Sequence, residues 1–121
     1  MLLPSRQFIL RSYVARNGKS YYDEWLSTLG GNIRLNVLKN VKKLTVGLGD
    51  QKNLENKLWE LRVDFAQGYR IYFYRDGLEI ILLLAGSDKR DQERTIKLAR
   101  NFIKEIEEDK KQGTHYAERT P

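Results

Sequence analysis

The chain has 121 residues, of which 40% are hydrophobic and 31% charged, the size and balance of one globular domain rather than a disordered segment. Lysine and arginine outnumber aspartate and glutamate by 22 to 16, so the formal net charge is +6 and polyanions are natural partners: RNA, DNA or an acidic protein segment. There is no cysteine, which excludes a disulfide framework, thiol catalysis and zinc–thiolate sites.

The N-terminal stretch MLLPSRQFILRSY lacks the basic start, apolar core and small-residue cleavage site of a secretory signal. The one long apolar run, Leu78 to Ala85, is broken by Glu79 and is too short to span a bilayer. A cytoplasmic protein without a membrane partner is the expectation.

In chain order, Arg6 to Val14 reads as a first strand, ended by Arg16-Asn17-Gly18-Lys19. Ser20, with Asp23 three places on, predicts a capped helix whose apolar side holds Tyr21, Tyr22, Trp25, Leu26 and Leu29; Gly30-Gly31 stops it. A second helix is predicted from about Asn32 to Val46, with Ile33, Val37, Val41, Leu44 and Leu48 on one face. Lys39, Lys42 and Lys43 fall largely off that face, as a solvated surface or a phosphate-tracking one. Gly47 to Asn53 reads as a loop, and it lacks the Gly-Lys-Ser/Thr of a phosphate loop.

The stretch LWELRVDFAQGYRIYFYR, Leu58 to Arg75, holds two alternating runs joined by a turn at Ala66-Gln67-Gly68. Trp59, Leu61, Val63 and Phe65 share one face of the first run, and Tyr69, Ile71 and Phe73 share one face of the second. Paired as a hairpin, the two runs bring Glu60, Arg62, Arg70 and Tyr72 together on the opposite face. Arginine grips phosphate with a forked set of donors, and a phenol can stack on a base. The same four residues also suit a solvated face with ordinary cross-strand ion pairs.

After the turn Asp76-Gly77, the run LEIILLLA (Leu78 to Ala85) is apolar on both faces and predicts the most buried strand. Ser87 or Asp88 can cap a third helix from about Lys89 to Glu108, with a core stripe of Ile96, Ala99, Phe102, Ile103 and Ile106. Residues 110–121 show no apolar periodicity and are expected to form a mobile tail beyond a domain at 1–109. The order predicts an α+β fold in which the helices cover one face of an antiparallel sheet and leave the other partly open.

Five segments in this order resemble the RelE/ParE superfamily of toxins from bacterial toxin–antitoxin pairs, in particular the addiction module killer proteins related to RelE and HigB. They are YYDEWLSTL (Tyr21–Leu29), GLGDQK (Gly47–Lys52), ELR (Glu60–Arg62), GYRIYF (Gly68–Phe73) and LLLAGSDKRDQ (Leu82–Gln92). The resemblance implies a four-stranded antiparallel sheet with the first strand beside the last, an N-terminal helix hairpin on one face and a C-terminal helix. RelE-like members cut mRNA on the ribosome: they align the ribose 2′-hydroxyl with the adjacent phosphorus, use no metal or other cofactor, and neutralise the phosphate with basic side chains. ParE-like members share the fold but poison DNA gyrase.

Carried over residue by residue, Arg70 matches a phosphate-binding arginine of the RelE-like nucleases, and Arg62 matches a basic strand residue. Lys89 and Arg90 match the basic pair that follows the last strand. Glu60 stands where RelE has a lysine, and Thr95 and Ile96 stand where RelE has its catalytic tyrosine. His115, the one histidine, lies in the tail and has no assigned counterpart among near-terminal catalytic histidines. The catalytic set implied is therefore Arg62, Arg70, Glu60 and Lys89, with Glu60 either taking the 2′-hydroxyl proton or aiming an arginine. Tyr72, Arg90 and Lys52 are the expected RNA contacts. The expected partners are the ribosome, mRNA and a cognate antitoxin of helix-turn-helix type; a gyrase-binding toxin and a member that only binds its antitoxin are the alternatives.

Overall fold

A computed structural model describes residues 7–77 and 80–112. In chain order the elements are β1 (Ile9–Ser12), α1 (Tyr21–Ser27), α2 (Gly31–Lys43), β2 (Asp50–Glu55), β3 (Leu58–Val63), β4 (Tyr69–Arg75), β5 (Ile80–Asp88) and α3 (Gln92–Lys111). Short 3-10 turns follow α2, at Leu44–Val46, and precede α3, at Lys89–Asp91. The sheet order is β1-β5-β4-β3-β2. The strands from β2 to β5 form an antiparallel meander, and β1 runs parallel to β5. The fold is α+β.

The sheet has five strands and is mixed, where four antiparallel strands were expected. The added strand, β2, occupies the stretch read as loop. Its sequence, DQKNLE, has no apolar alternation, and only Gln51 and Leu54 are partly buried. Backbone pairing to β3 holds it, and a polar composition suits a strand at the sheet edge, where it discourages pairing with other chains. β1 does lie beside the last strand, but parallel to it. The chain leaves β1 through two helices and re-enters the sheet at the far edge, the long connection that parallel neighbours need.

Both faces of the sheet are covered. Val37, Val41 and Leu44 from α2 and the turn after it pack on Leu61, Val63, Ile71, Phe73, Ile81 and Leu83. On the opposite face Ala99, Phe102 and Ile106 of α3 pack on Tyr13, Leu58, Tyr72, Tyr74, Leu82 and Leu84. This corrects the expectation of one open face. The tyrosines there have apolar rings with polar tips, so alternation reads them as surface while packing uses them as core.

Other expectations meet the structure directly. The β3–β4 register is the one expected, with Trp59 opposite Phe73 and Arg62 opposite Arg70. Phe73 is fully buried, and Trp59 stacks on it at 6.2 Å on the α2 side, away from Arg62 and Arg70 and beneath the Arg75 guanidinium at 5.1 Å. Ser20 caps α1, its hydroxyl accepting from the Asp23 amide at 3.2 Å. Leu48 fails as a core residue: Gly47 turns left-handed at φ 75 and Leu48 is 62% exposed.

α3 runs to Lys111, so Lys110 belongs to the helix and not to a tail. Lys110 and Lys57 both pair with Asp76, and Lys57 Nζ lies 2.9 Å from Glu107, pinning the end of β4 to α3. Residues 113–121, with His115, and Leu78 and Glu79 of the expected last strand lie outside the described residues. Among the described residues no helix is long and apolar enough to cross a membrane.

Candidate functional site

Cross-strand pairing sets the site. Arg62 on β3 faces Arg70 on β4, and Arg70 faces Ser87 on β5; Glu60 faces Tyr72 on one side and Lys52 of β2 on the other. Directly opposed residues share a face, so Lys52, Glu60, Arg62, Arg70, Tyr72 and Ser87 all project from the α3 side of the sheet.

Ser87 reaches this face through a β-bulge. Tyr72 pairs with Ala85 and Phe73 with Leu83, which leaves Leu84 as the extra residue and resets the alternation of β5. Gly86 then faces α1, and Ser87 faces the arginines. Sequence reading placed Ser87 only as a helix cap. Asp88, the other expected cap, closes the 3-10 turn that precedes α3, accepting from the Arg90 amide at 2.9 Å, while α3 itself starts after Asp91 with no side-chain cap.

Glu60 is the pivot. It is 4% exposed and accepts a hydrogen bond from Arg62 Nε at 3.1 Å, while Arg70 Nε lies 4.0 Å from the same oxygen. Arg70 also donates from a terminal nitrogen to the Tyr69 carbonyl at 3.0 Å and sits 3.9 Å from Asp64. The Glu60 bond and charge push the Arg62 pKa further up, so that guanidinium stays charged. The two arginines differ in access: the Arg62 side chain is 41% exposed and that of Arg70 only 9%.

Tyr72 is fully buried. Loss of solvent first, and the Glu60 charge second, push its phenol up to about 12, so it stays protonated at neutral pH. Ser87 and Glu60 lie close enough to influence that ionisation, yet neither meets hydrogen-bond geometry with the phenol. Among the described residues, Arg70 Nε, Tyr72 Oη and Ser87 Oγ all lack a hydrogen-bond partner. Three such atoms on neighbouring strands are costly to bury.

The expected site residues therefore divide. Glu60, Arg62 and Arg70 form one cluster with exposed Lys52 beside it, and Asp50 across from Arg62 and exposed Asp64 add negative charge. Lys89 lays its stem over the β3–β4 turn, where a Cβ on Gly68 would come within 2.7 Å of it. Lys89 and Arg90 line a separate shallow hollow of about 150 Å³, and Arg90 is tied to Asp88 at 2.9 Å. Tyr72, expected to stack on a base, has no face to offer: its ring is enclosed beneath α3. Among the described residues no group of three or more His, Asp or Glu side chains is placed to hold a metal ion.

No family model matches the chain. It is 38% identical over 88 residues to an uncharacterized protein of Haemophilus influenzae, an alignment that covers 70% of this chain and 88% of that protein. The chain belongs to the same family as that Haemophilus influenzae protein.

Proposed function

We propose that this protein is the toxin of a toxin–antitoxin pair, of RelE-like fold and RelE/ParE kinship, acting as a metal-independent, ribosome-dependent mRNA endoribonuclease in the cytoplasm. The observation that carries the reading is the Glu60–Arg62–Arg70 cluster: one buried carboxylate holds one accessible guanidinium, beside a second whose Nε is unpartnered. A phosphodiester oxygen meets the exposed guanidinium of Arg62, which turns from Glu60 to the phosphate, and Arg70 adds its charge from beneath. Release of Arg62 leaves Glu60 able to accept the 2′-hydroxyl proton. The 2′-oxygen bonds to phosphorus, the bond to the 5′-oxygen breaks, and that oxygen takes a proton from water. The two arginines stabilise the extra charge of the pentavalent phosphate. Lys89 and Lys52 flank the cluster and track the strand.

A second reading has its own support. Burial of Arg70 and Tyr72, with Asp50, Glu60 and Asp64 nearby, leaves little net positive charge on this face, which suits a toxin that binds a protein target such as DNA gyrase. In either case the partner is an antitoxin of helix-turn-helix type whose acidic segment covers Arg62 and Lys89. Induced expression followed by primer extension on cellular mRNA separates the readings. The nuclease gives new cleavage ends that depend on active translation. Growth arrest with intact mRNA and altered DNA supercoiling supports the gyrase reading, and the absence of any growth effect leaves only antitoxin binding.

A further inference from the structure

Arg75, the last residue of β4, lies on the α2 side of the sheet, the face opposite Arg62 and Arg70. Its guanidinium carbon sits 4.6 Å from the centre of the Phe8 ring and 5.1 Å from that of Trp59. Ring contacts occupy the flat face of the group and use none of its N–H donors. Arg90, Arg94 and Arg100 each have a carboxylate within 2.9 Å. Arg75 has none among the described residues. Asp76, next in the chain, is taken by Lys57 and Lys110, and Asp50 stands opposite Arg62 on the other face.

Phe8 joins Arg75 to the end of α2. Its amide donates to the Thr45 carbonyl at 2.7 Å, and a Cβ on Gly47 would lie 3.7 Å from its ring. Beside it Val46 is 40% exposed and Leu48 62%. Leu48 is not on a slack loop. Its amide donates to the Lys43 carbonyl at 2.9 Å, and the Gln51 side-chain amide donates to the Gly47 and Leu48 carbonyls, each at 3.2 Å. A turn tied in this way presents Leu48 already ordered, so little freedom is lost when something covers it. Further along α2, Leu35 and Leu38 are also exposed, and Lys39 and Lys42 stand among them at helical spacing. Residues 25–49 hold four basic side chains and no aspartate or glutamate.

The chemistry narrows the partner. A second copy of this chain would bring the same positive charge to the contact, and like charges repel. A nucleic-acid backbone would meet Arg75 and the lysines but has no use for Val46 and Leu48. A helix that lies in a lipid surface segregates its apolar and charged faces, whereas here the two kinds of side chain are interleaved. We propose that this surface, from Arg75 and Leu48 along the outer side of α2, docks an acidic, partly apolar segment of another protein. A carboxylate of that segment takes the free donors of Arg75, whose fork matches its two oxygens, and an apolar side chain covers Leu48. Because Arg62 and Arg70 lie on the other face, such a partner leaves them open, and the docking holds whether or not the cluster cleaves RNA.

The probes are two short peptides of glutamate and leucine, one with leucine at helical spacing and one strictly alternating, each with a counterpart in which glutamine replaces glutamate. Backbone-amide and arginine side-chain NMR signals of the full chain locate the binding. A glutamate peptide should shift the Arg75 Nε–H and the Val46 and Leu48 amides saturably, and added salt should weaken it. The glutamine counterpart should bind about tenfold more weakly, and the glutamate peptide should lose a similar factor on Arg75→Gln and on Leu48→Ser. Leu48→Ser changes an exposed side chain, so it keeps the test open if Arg75→Gln unfolds. No saturable shift with either glutamate peptide overturns the proposal. Binding that both substitutions leave unchanged, or shifts confined to the Arg62 and Lys89 side, overturn it as well. Tighter binding at the same residues by an oligouridylate or by phosphatidylglycerol vesicles overturns the protein partner and assigns the surface to RNA or to lipid.

Discussion

Arg70 and Ser87 lie directly opposite one another on β4 and β5, both buried, and each keeps a polar atom without a partner among the described residues. A guanidinium enclosed to this degree contributes to the fold as well as to any chemistry. Arg70→Ala should lower stability by about 1–3 kcal/mol, since it removes a buried charge beside Glu60 and leaves space behind. Arg62→Ala, on an exposed side chain screened by solvent, should cost clearly less. Urea titrations of both variants measure the difference; equal costs would show that Glu60 draws the same support from each arginine.

Loss of function should not follow that order. If the cluster binds a phosphate as proposed, Arg62→Ala should reduce RNA cleavage by roughly a hundred- to a thousandfold with the melting curve almost unchanged, as removal of one charged transition-state contact does. Cleavage measured on a translating message checks this. Unaltered cleavage by Arg62→Ala would take the cluster out of the mechanism.

Tyr72→Phe removes a buried hydroxyl that has no hydrogen-bond partner among the described residues. Its loss relieves the cost of keeping that group dry, so the variant should be as stable as the parent or more stable, by up to about 1–2 kcal/mol. A destabilised variant would reveal a bound water satisfying the phenol. Ring packing under α3 is the same in both chains.

Gly86→Ala tests the packing of Trp25 on β5. The added methyl would fall 2.2 Å from the Trp25 ring, so the indole must leave the strand. Overpacking of this kind costs about 1–3 kcal/mol, and Trp25 emission should shift to the red as the ring meets water. Trp25→Ala in the same chain should recover part of the loss. An unshifted spectrum in Gly86→Ala would mean that the strand moves and the indole does not.

The Asp76 carboxyl is held below its ordinary 3.8, first by its bond to Lys110 and further by Tyr74 and Lys57. A group with a lowered folded-state pKa adds stability that is present above its unfolded value and is lost as pH falls through the folded one. Lys57 shows the opposite sign: its bond to Glu107 raises it above 10.5, so its share is lost on the alkaline side. Asp76→Asn should therefore reduce the melting temperature at neutral pH, and the gap to the parent should close below about pH 4. A gap that stays constant down to pH 2 would locate the effect in packing.

The hairpin was the most legible part of the chain because alternation and a short turn fix register, and the pairing of Glu60 with Tyr72 and Arg62 with Arg70 follows. The cap at Ser20 was legible for the same local reason. β2 was not, because an edge strand is held by backbone bonds and its side chains carry no apolar signal. The enclosure of Tyr72 was hidden by its phenol, although Leu58, Leu82 and Leu84 on that face required a cover. Ser87 was missed as a sheet residue because the apolar run ends at Ala85 and Gly86 reads as the end of the strand, whereas β5 continues to Asp88; the bulge at Leu84 that sets its face has no mark in this stretch of sequence.

The parallel contact between β1 and β5 has a consequence for the order in which the chain is made. Ile9, Leu10, Arg11 and Ser12 pair with Ile80 to Leu83, near the other end of the domain. On the ribosome β1 emerges first, and its partner follows only after about 4–14 s at 5–20 residues per second. Through that interval Phe8 can reach α2 and the turn after it, where its amide donates to the Thr45 carbonyl at 2.7 Å, but the sheet that β1 joins is still being translated. The meander, whose partners are close in sequence, closes its short loops quickly once it is complete. Of the five strands described, β1 is thus the first made and among the last to dock, and the nascent chain carries its unpaired edge until β5 emerges.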